Sequence, residues 1–264
     1  GPIVDTPQGD WYAIQFQDHG AVGRIPTLQP VTWEDGWPVM GDGGVPLQDL
    51  SVRLPEDAAG NYVWDSDEFG SPKLALVWQW NHKAPDSWCI RDGALRIQAM
   101  PASGIHDARG TLTQRTAGPR CESSVLLDAS ALGPGDEAGL CAFQSLSARI
   151  GVKVAGDGGP SVVLTEGSPS GKDRMEKVVF SAPLSGSSVY LKIRYVFTPL
   201  EPGEEPDTAF LSYSEDGISW TEVDYTLKMR YTLDYFTGYR SGLYCFGPGG
   251  GTASFDWFRQ RVLE

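Results

Sequence analysis

The chain has 264 residues, with 34 Asp and Glu against 21 Lys and Arg and a formal net charge of −13; nucleic acid and anionic membrane surfaces would be repelled by its field. Its 32 glycines and 19 prolines interrupt the chain too often for a helical protein and predict many short strands. No apolar run is long enough to span a bilayer as a helix, which needs about 18 residues, and the length allows one large β-domain or two smaller ones.

In chain order, Ile3-Val4, the turn at Thr6 to Gly9, Trp11 to Phe16, Arg24 to Trp33 and Trp37 to Met40 read as two hairpins, the second turned at Glu34-Asp35-Gly36. Two hairpins cannot close their own sheet, so this stretch must lean on something else. Residues 46–64, with Pro46, Pro55 and Glu56-Asp57, have linker composition. From residue 65 the pattern becomes many short alternating runs. Ala94 to Ala99 alternates strictly, and in Val189 to Val196 the apolar face is Val189, Leu191, Ile193 and Tyr195, with Lys192 and Arg194 opposite. Further runs fall at 121–128, 138–143, 149–154, 161–164, 177–180, 209–213, 241–246 and 254–262. So many strands predict an all-β fold of two packed antiparallel sheets, because one sheet that wide would curl or split.

Cys89, Cys121, Cys141 and Cys245 are dispersed without zinc spacing and read as thiols. His19, His82 and His106 have no nucleophile motif beside them, so a triad has no support. A lectin-fold hydrolase would need paired carboxylates of the type Glu-x-Asp-x-x-Glu on one strand, and that spacing does not occur.

Ile3 to Tyr12, Gly23-Arg24-Ile25, Leu28 to Val31 and Trp33 to Pro38 resemble the closing blade of the catalytic propeller of glycoside hydrolase family 43, the β-xylosidase and arabinofuranosidase type. Phe69-Gly70-Ser71, Trp78 to His82, Thr111 to Arg115, Gly139 to Gln144, Ile150 to Lys153 and Phe255 to Phe258 resemble the concanavalin A-like β-sandwich, or jelly roll, appended to such enzymes and classed as carbohydrate-binding module family 91. The resemblance implies a blade remnant over 1–45, a linker over 46–64 and the sandwich over 65–264. It implies a xylan-degrading hydrolase whose aspartate base, glutamate acid and second aspartate lie on blades before Gly1, so none of the catalytic carboxylates can be placed in this chain. The expected partners are the N-terminal propeller portion and xylan or xylo-oligosaccharide. The alternative function is a stand-alone xylan-binding module. The sequence is compatible with the bacterial cytoplasm and with secretion alike.

The resemblance also implies site residues. Arg24 falls where relatives keep an arginine that holds substrate hydroxyls, a task that suits a planar, permanently charged fork. Phe236, with Tyr235 as its neighbour, resembles a sandwich-loop aromatic that closes over the propeller pocket. Trp88 and Tyr239 are expected as exposed aromatics for sugar stacking. Glu68 and Asp256, with help from Asp92, are expected to bind a structural calcium at the sandwich margin, where six to eight hard oxygens are required. Ser214 to Trp220 resembles an Asp-box hairpin with a structural role.

Overall fold

The computed structural model describes residues 1–52, 63–156, 159–170, 173–233 and 237–264. Strands β1 (Ile3–Asp5), β2 (Trp11–Asp18), β3 (Arg24–Glu34) and β4 (Trp37–Met40) form one four-stranded antiparallel meander. The two expected hairpins are thus a single sheet, with β2 and β3 paired from Trp11↔Val31 to Asp18↔Arg24. A 3-10 turn, Gly20–Val22, joins them.

The rest is a two-layer sandwich. Its strands are β5 (Gln79–Trp80), β6 (Trp88–Arg91), β7 (Ala94–Gln98), β8 (Thr111–Arg115), β9 (Arg120–Ala131), β10 (Glu137–Phe143) and β11 (Ser147–Val154). They continue as β12 (Pro160–Ser170), β13 (Asp173–Pro183), β14 (Ser188–Val196), β15 (Thr208–Ser214), β16 (Thr221–Lys228), β17 (Arg240–Phe246) and β18 (Thr252–Val262). Seven strands in the order β13-β12-β11-β10-β17-β8-β5 face seven in the order β16-β15-β14-β9-β18-β7-β6. All pairings within both sheets are antiparallel.

Period-two alternation builds the core. Val189, Leu191, Ile193 and Tyr195 of β14 are fully buried, while Lys192 and Arg194 stay on the outer face. Cys121, Val125 and Leu127 of β9 and Phe255 and Phe258 of β18 meet Leu140, Ile150 and Leu243 from the opposite sheet. Each such side chain contributes roughly 1.5–3 kcal/mol by leaving water. The four cysteines are free, with Cys121, Cys141 and Cys245 buried and Cys89 exposed. Burial pushes the three interior thiols up to about 12, which leaves them inert as nucleophiles.

The outer face of β10 and β17 departs from simple alternation, because every residue of both strands is buried. Ile105 and Ala108, from the segment between β7 and β8, cover Cys141, Phe143, Tyr244 and Phe246. Beneath that cover lies a charged cluster. Arg149 donates through Nε to Glu137 Oε1 at 2.7 Å and forks onto Glu176 at 2.8 and 2.7 Å, while Glu176 also accepts the Ile105 amide at 3.0 Å. Burial opposes the Arg149 charge, but Glu137, Tyr244 and Glu176 together outweigh it and hold the guanidinium pKa above its ordinary value.

Candidate functional site

The N-terminal sheet meets the sandwich along a seam that contains Arg24 and part of the segment between β16 and β17. The 3-10 turn plugs into the sandwich: Ala21 is fully buried in its core, and the Ala21 amide donates to Asp207 Oδ1 at 3.0 Å. Burial raises the Asp207 pKa and the Ala21 N–H pulls it back only in part. On the far side of the turn the Tyr239 amide donates to Ala21 O at 2.8 Å. Two glycines permit the approach. A Cβ on Gly23, whose φ is +93°, would sit 2.3 Å from the Gly238 nitrogen, and one on Gly238 would sit 2.0 Å from Val22 O.

Arg24 stands at this seam. Its Nε donates to Asp18 Oδ1 at 2.9 Å, and its guanidinium lies 4.5 Å from the Phe16 ring centroid and 5.7 Å from that of Tyr231. Phe16 belongs to the N-terminal sheet and Tyr231 to the sandwich, so one arginine from the first region is flanked by an aromatic from the second. The same sandwich segment is tied down by Gln144, whose Nε2 donates to Thr237 O at 2.6 Å and whose Oε1 accepts from Thr232 Oγ1 at 3.2 Å. Phe236 and Tyr235 lie outside the described residues.

The aromatic expectations at Trp88 and Tyr239 need correction. Tyr239 is 1% exposed, and its hydroxyl donates to Leu146 O at 2.6 Å. It shares the inward parity of Leu243 and Cys245 and carries that face of the strand one step into the seam. Burial raises its pKa. Trp88 stands directly opposite Ile97, which is fully buried, so its ring turns between the sheets and meets Trp80 at 5.4 Å. Tyr239 therefore offers no face for stacking, while Trp88 stays half-buried and lines a cavity of about 550 Å³ with Cys89, Arg96 and Gln98.

The calcium set does not fit either. Among the described residues no group of three or more His, Cys, Asp or Glu side chains is placed to hold a metal ion. Glu68 is instead taken by Arg259 at 3.0 and 3.3 Å. Asp92 pairs with Arg96 at 3.2 Å and with Arg91 at 3.6 Å. Asp256 is exposed and its nearby charge is the same Arg259. Arg259 thus supplies the positive charge beside both Glu68 and Asp256.

The hairpin at Ser214 to Trp220 is organised by Asp216, whose Oδ1 accepts the Ser219 and Ile218 amides at 2.7 and 2.8 Å. Those amides hold its carboxyl below the usual range. Trp220 lies under Lys192 Nζ at 3.9 Å from its ring centroid.

Residues that sequence reasoning did not single out carry much of the seam: Asp207, Gly23, Gly238, Tyr231 and Gln144. Their partners are 88 to 215 positions away, and only the glycines within Gly23-Arg24 and Gly238-Tyr239 hint at tight backbone contact.

Residues 66–261 match the family described as the β-xylosidase C-terminal concanavalin A-like domain. A β-xylosidase of Formosa agariphila is 27% identical over 98% of this chain and 47% of its own length. A bifunctional GH43-CE protein of Bacteroides eggerthii superposes with a TM-score of 0.84 at 38% identity, covering 100% of this chain and 34% of that one. A GH43 glycoside hydrolase engineered to display both endo-xylanase and exo-arabinofuranosidase activity gives a TM-score of 0.84 at 27% identity, over 100% of this chain and 54% of its own. The chain therefore spans between about a third and just over half of the length of these three relatives. By its sequence over the sandwich and by its fold, the chain belongs to the β-xylosidase C-terminal concanavalin A-like domains of glycoside hydrolase family 43.

Proposed function

We propose that the chain is the C-terminal part of a xylan-degrading hydrolase of the β-xylosidase or α-arabinofuranosidase class, in which the sandwich braces the active-site pocket and performs no chemistry alone. The observation that carries this reading is the N-terminal sheet. Trp11, Ile25 and Trp33 lie on one of its faces, and Val4, Ile14, Phe16 and Trp37 on the other, and all are exposed. A sheet that is apolar on both faces suits a blade between two neighbouring blades, whereas a terminal layer needs only one apolar face.

In this reading Arg24 reaches from the last blade towards the hydroxyls of the terminal sugar. Its tie to Asp18 and its stacking between Phe16 and Tyr231 fix the plane of the fork before substrate arrives, which lowers the ordering cost of binding. The sandwich segment that carries Tyr231 and Phe236 narrows the pocket to short substrates. The acid and base that must flank a glycosidic bond come from the propeller portion.

The test is hydrolysis of aryl β-xyloside and aryl α-arabinofuranoside by the chain alone and by the same chain joined to the propeller portion. The expected result is background turnover alone and full turnover when joined, with Arg24→Ala in the joined protein lowering kcat/KM by about 100-fold or more. Normal turnover by the isolated chain, with host enzymes controlled for, would overturn the reading. Xylan binding by the sandwich alone is the competing function, and burial takes Tyr239 out of the stacking faces expected for it.

A further inference from the structure

A cavity of about 400 Å³ opens along the seam, between Val22, Ile25 and Pro26 of the N-terminal region and Leu76, Arg115 and Arg240 of the sandwich. Arg115 and Arg240 face each other directly across β8 and β17. Arg240 is 9% exposed, and it donates twice to Thr113, from Nε to Oγ1 at 2.8 Å and from Nη2 to the carbonyl at 3.1 Å. Among the described residues neither guanidinium has a carboxylate at ion-pair distance. Burial pulls the Arg240 pKa down to about 10, and the charge that adds to this is Arg115, a second cation.

A buried cation without a counter-charge is costly, and a like charge beside it makes it more so. The contrast with Arg149 is direct: that arginine is as deeply buried but sits among Glu137 and Glu176. Arg240 and Arg115 have a cavity where Arg149 has carboxylates. The chain carries a net charge of −13, so two adjacent cations, one buried and one exposed, with no carboxylate among the described residues at ion-pair distance, are a local exception to the field around them.

We propose that this seam cavity binds a sugar acid, its carboxylate held by Arg115 and Arg240 and its ring lying along the apolar wall of Ile25, Pro26 and Leu76. A carboxylate accepts paired N–H donors from guanidinium forks in the plane of both groups, and the volume suits a single sugar ring. The choice of a sugar acid over other small carboxylates rests on the proposed xylan-degrading function; the anion site itself does not.

The test is calorimetric and thermal-melt titration of the chain with D-glucuronate, and with D-xylose, which has the same ring without the carboxylate. Glucuronate is expected to raise Tm in a saturable way that weakens in 0.5 M salt, and xylose is expected to leave it unchanged. Arg115→Gln, at an exposed position, should weaken glucuronate binding about tenfold or more, and Arg115→Lys should restore part of it. No binding of glucuronate, equal binding of xylose, or binding untouched by Arg115→Gln would each overturn the proposal. The turnover assay for the proposed function uses neutral glycosides, so the two readings fail independently.

Discussion

The four-stranded sheet and the sandwich are both antiparallel and both rich in aromatic and β-branched residues, yet they dispose of their apolar surface in opposite ways. In the sandwich two seven-stranded sheets close on each other, and even the outer face of β10 and β17 is covered by Ile105 and Ala108. In the N-terminal sheet Phe16, although Arg24 lies over its ring, is 55% exposed and Trp37 is 76% exposed. One region completes its own core. The other, in the proposed reading, supplies half of an interface on each side, and it joins the sandwich at a seam around Ala21, Asp207, Gly23 and Gly238. Similar strands therefore need not mean a similar division of labour, and burial tells them apart where composition does not.

Substitutions can widen that contrast. The largest effect is expected inside the sandwich: Arg149→Met would strand Glu137 and Glu176 beneath the covering segment and should cost about 3–5 kcal/mol in urea unfolding. A loss under 1 kcal/mol would mean that the cluster contributes little and that apolar contacts alone hold the cover. At the seam, Gly23→Ala forces a left-handed backbone on a residue with a Cβ and pushes that carbon against Gly238. Backbone strain alone should cost on the order of 1–3 kcal/mol. Limited proteolysis should then release the N-terminal sheet while the sandwich stays intact, and uniform resistance would show that the seam tolerates the change.

Asp207 gives a pH test of the same seam. Its folded pKa is raised by burial above the ordinary aspartate value of 3.8, so the folded state binds the proton more tightly than the unfolded one. Stability from this group is present at low pH and lost as pH rises from that value through the raised one. Asp207→Asn, which keeps an oxygen for the Ala21 amide, should flatten that decline in a series of thermal melts, and an unchanged slope would point to another group. The smallest effect is expected on the open face: Trp37→Ser should change the stability of this chain by no more than about 0.5 kcal/mol. A substantial loss would mean that the ring already has a covering partner.

Much of the fold was legible in the residues because period-two alternation reports directly on a half-buried strand. Trp11 to Phe16, Arg24 to Trp33 and Val189 to Val196 fall within observed strands. Strand β16 was legible too, with Val223 and Leu227 buried between exposed Glu222, Asp224 and Lys228, but it was missed. The short strands β5 and β6 escaped because two to four residues do not establish a period. The candidate site was less legible. Tyr239 was expected outside as a sugar-stacking aromatic, although counting back by twos from Cys245 and Leu243 places it inside. Glu68 and Asp256, with help from Asp92, were expected to bind a metal because the family resemblance implied it, but the ion pairs of Glu68 with Arg259 and of Asp92 with Arg96 depend on strand neighbours that sequence spacing does not reveal. The Arg115 and Arg240 pair is invisible in the chain because it depends on the register of β8 against β17.

The most direct test of the central claim, that the N-terminal sheet is a blade awaiting neighbours on both faces, is amide hydrogen exchange over Trp11–Asp18 and Arg24–Glu34. It should be measured in this chain alone and in the protein that joins it to the propeller portion. Fast exchange alone, well above that of Ser188–Val196 in the sandwich, with strong protection in the joined protein, is the predicted result. Equal protection of those strands in both proteins would contradict it, because a sheet already complete gains nothing from further blades.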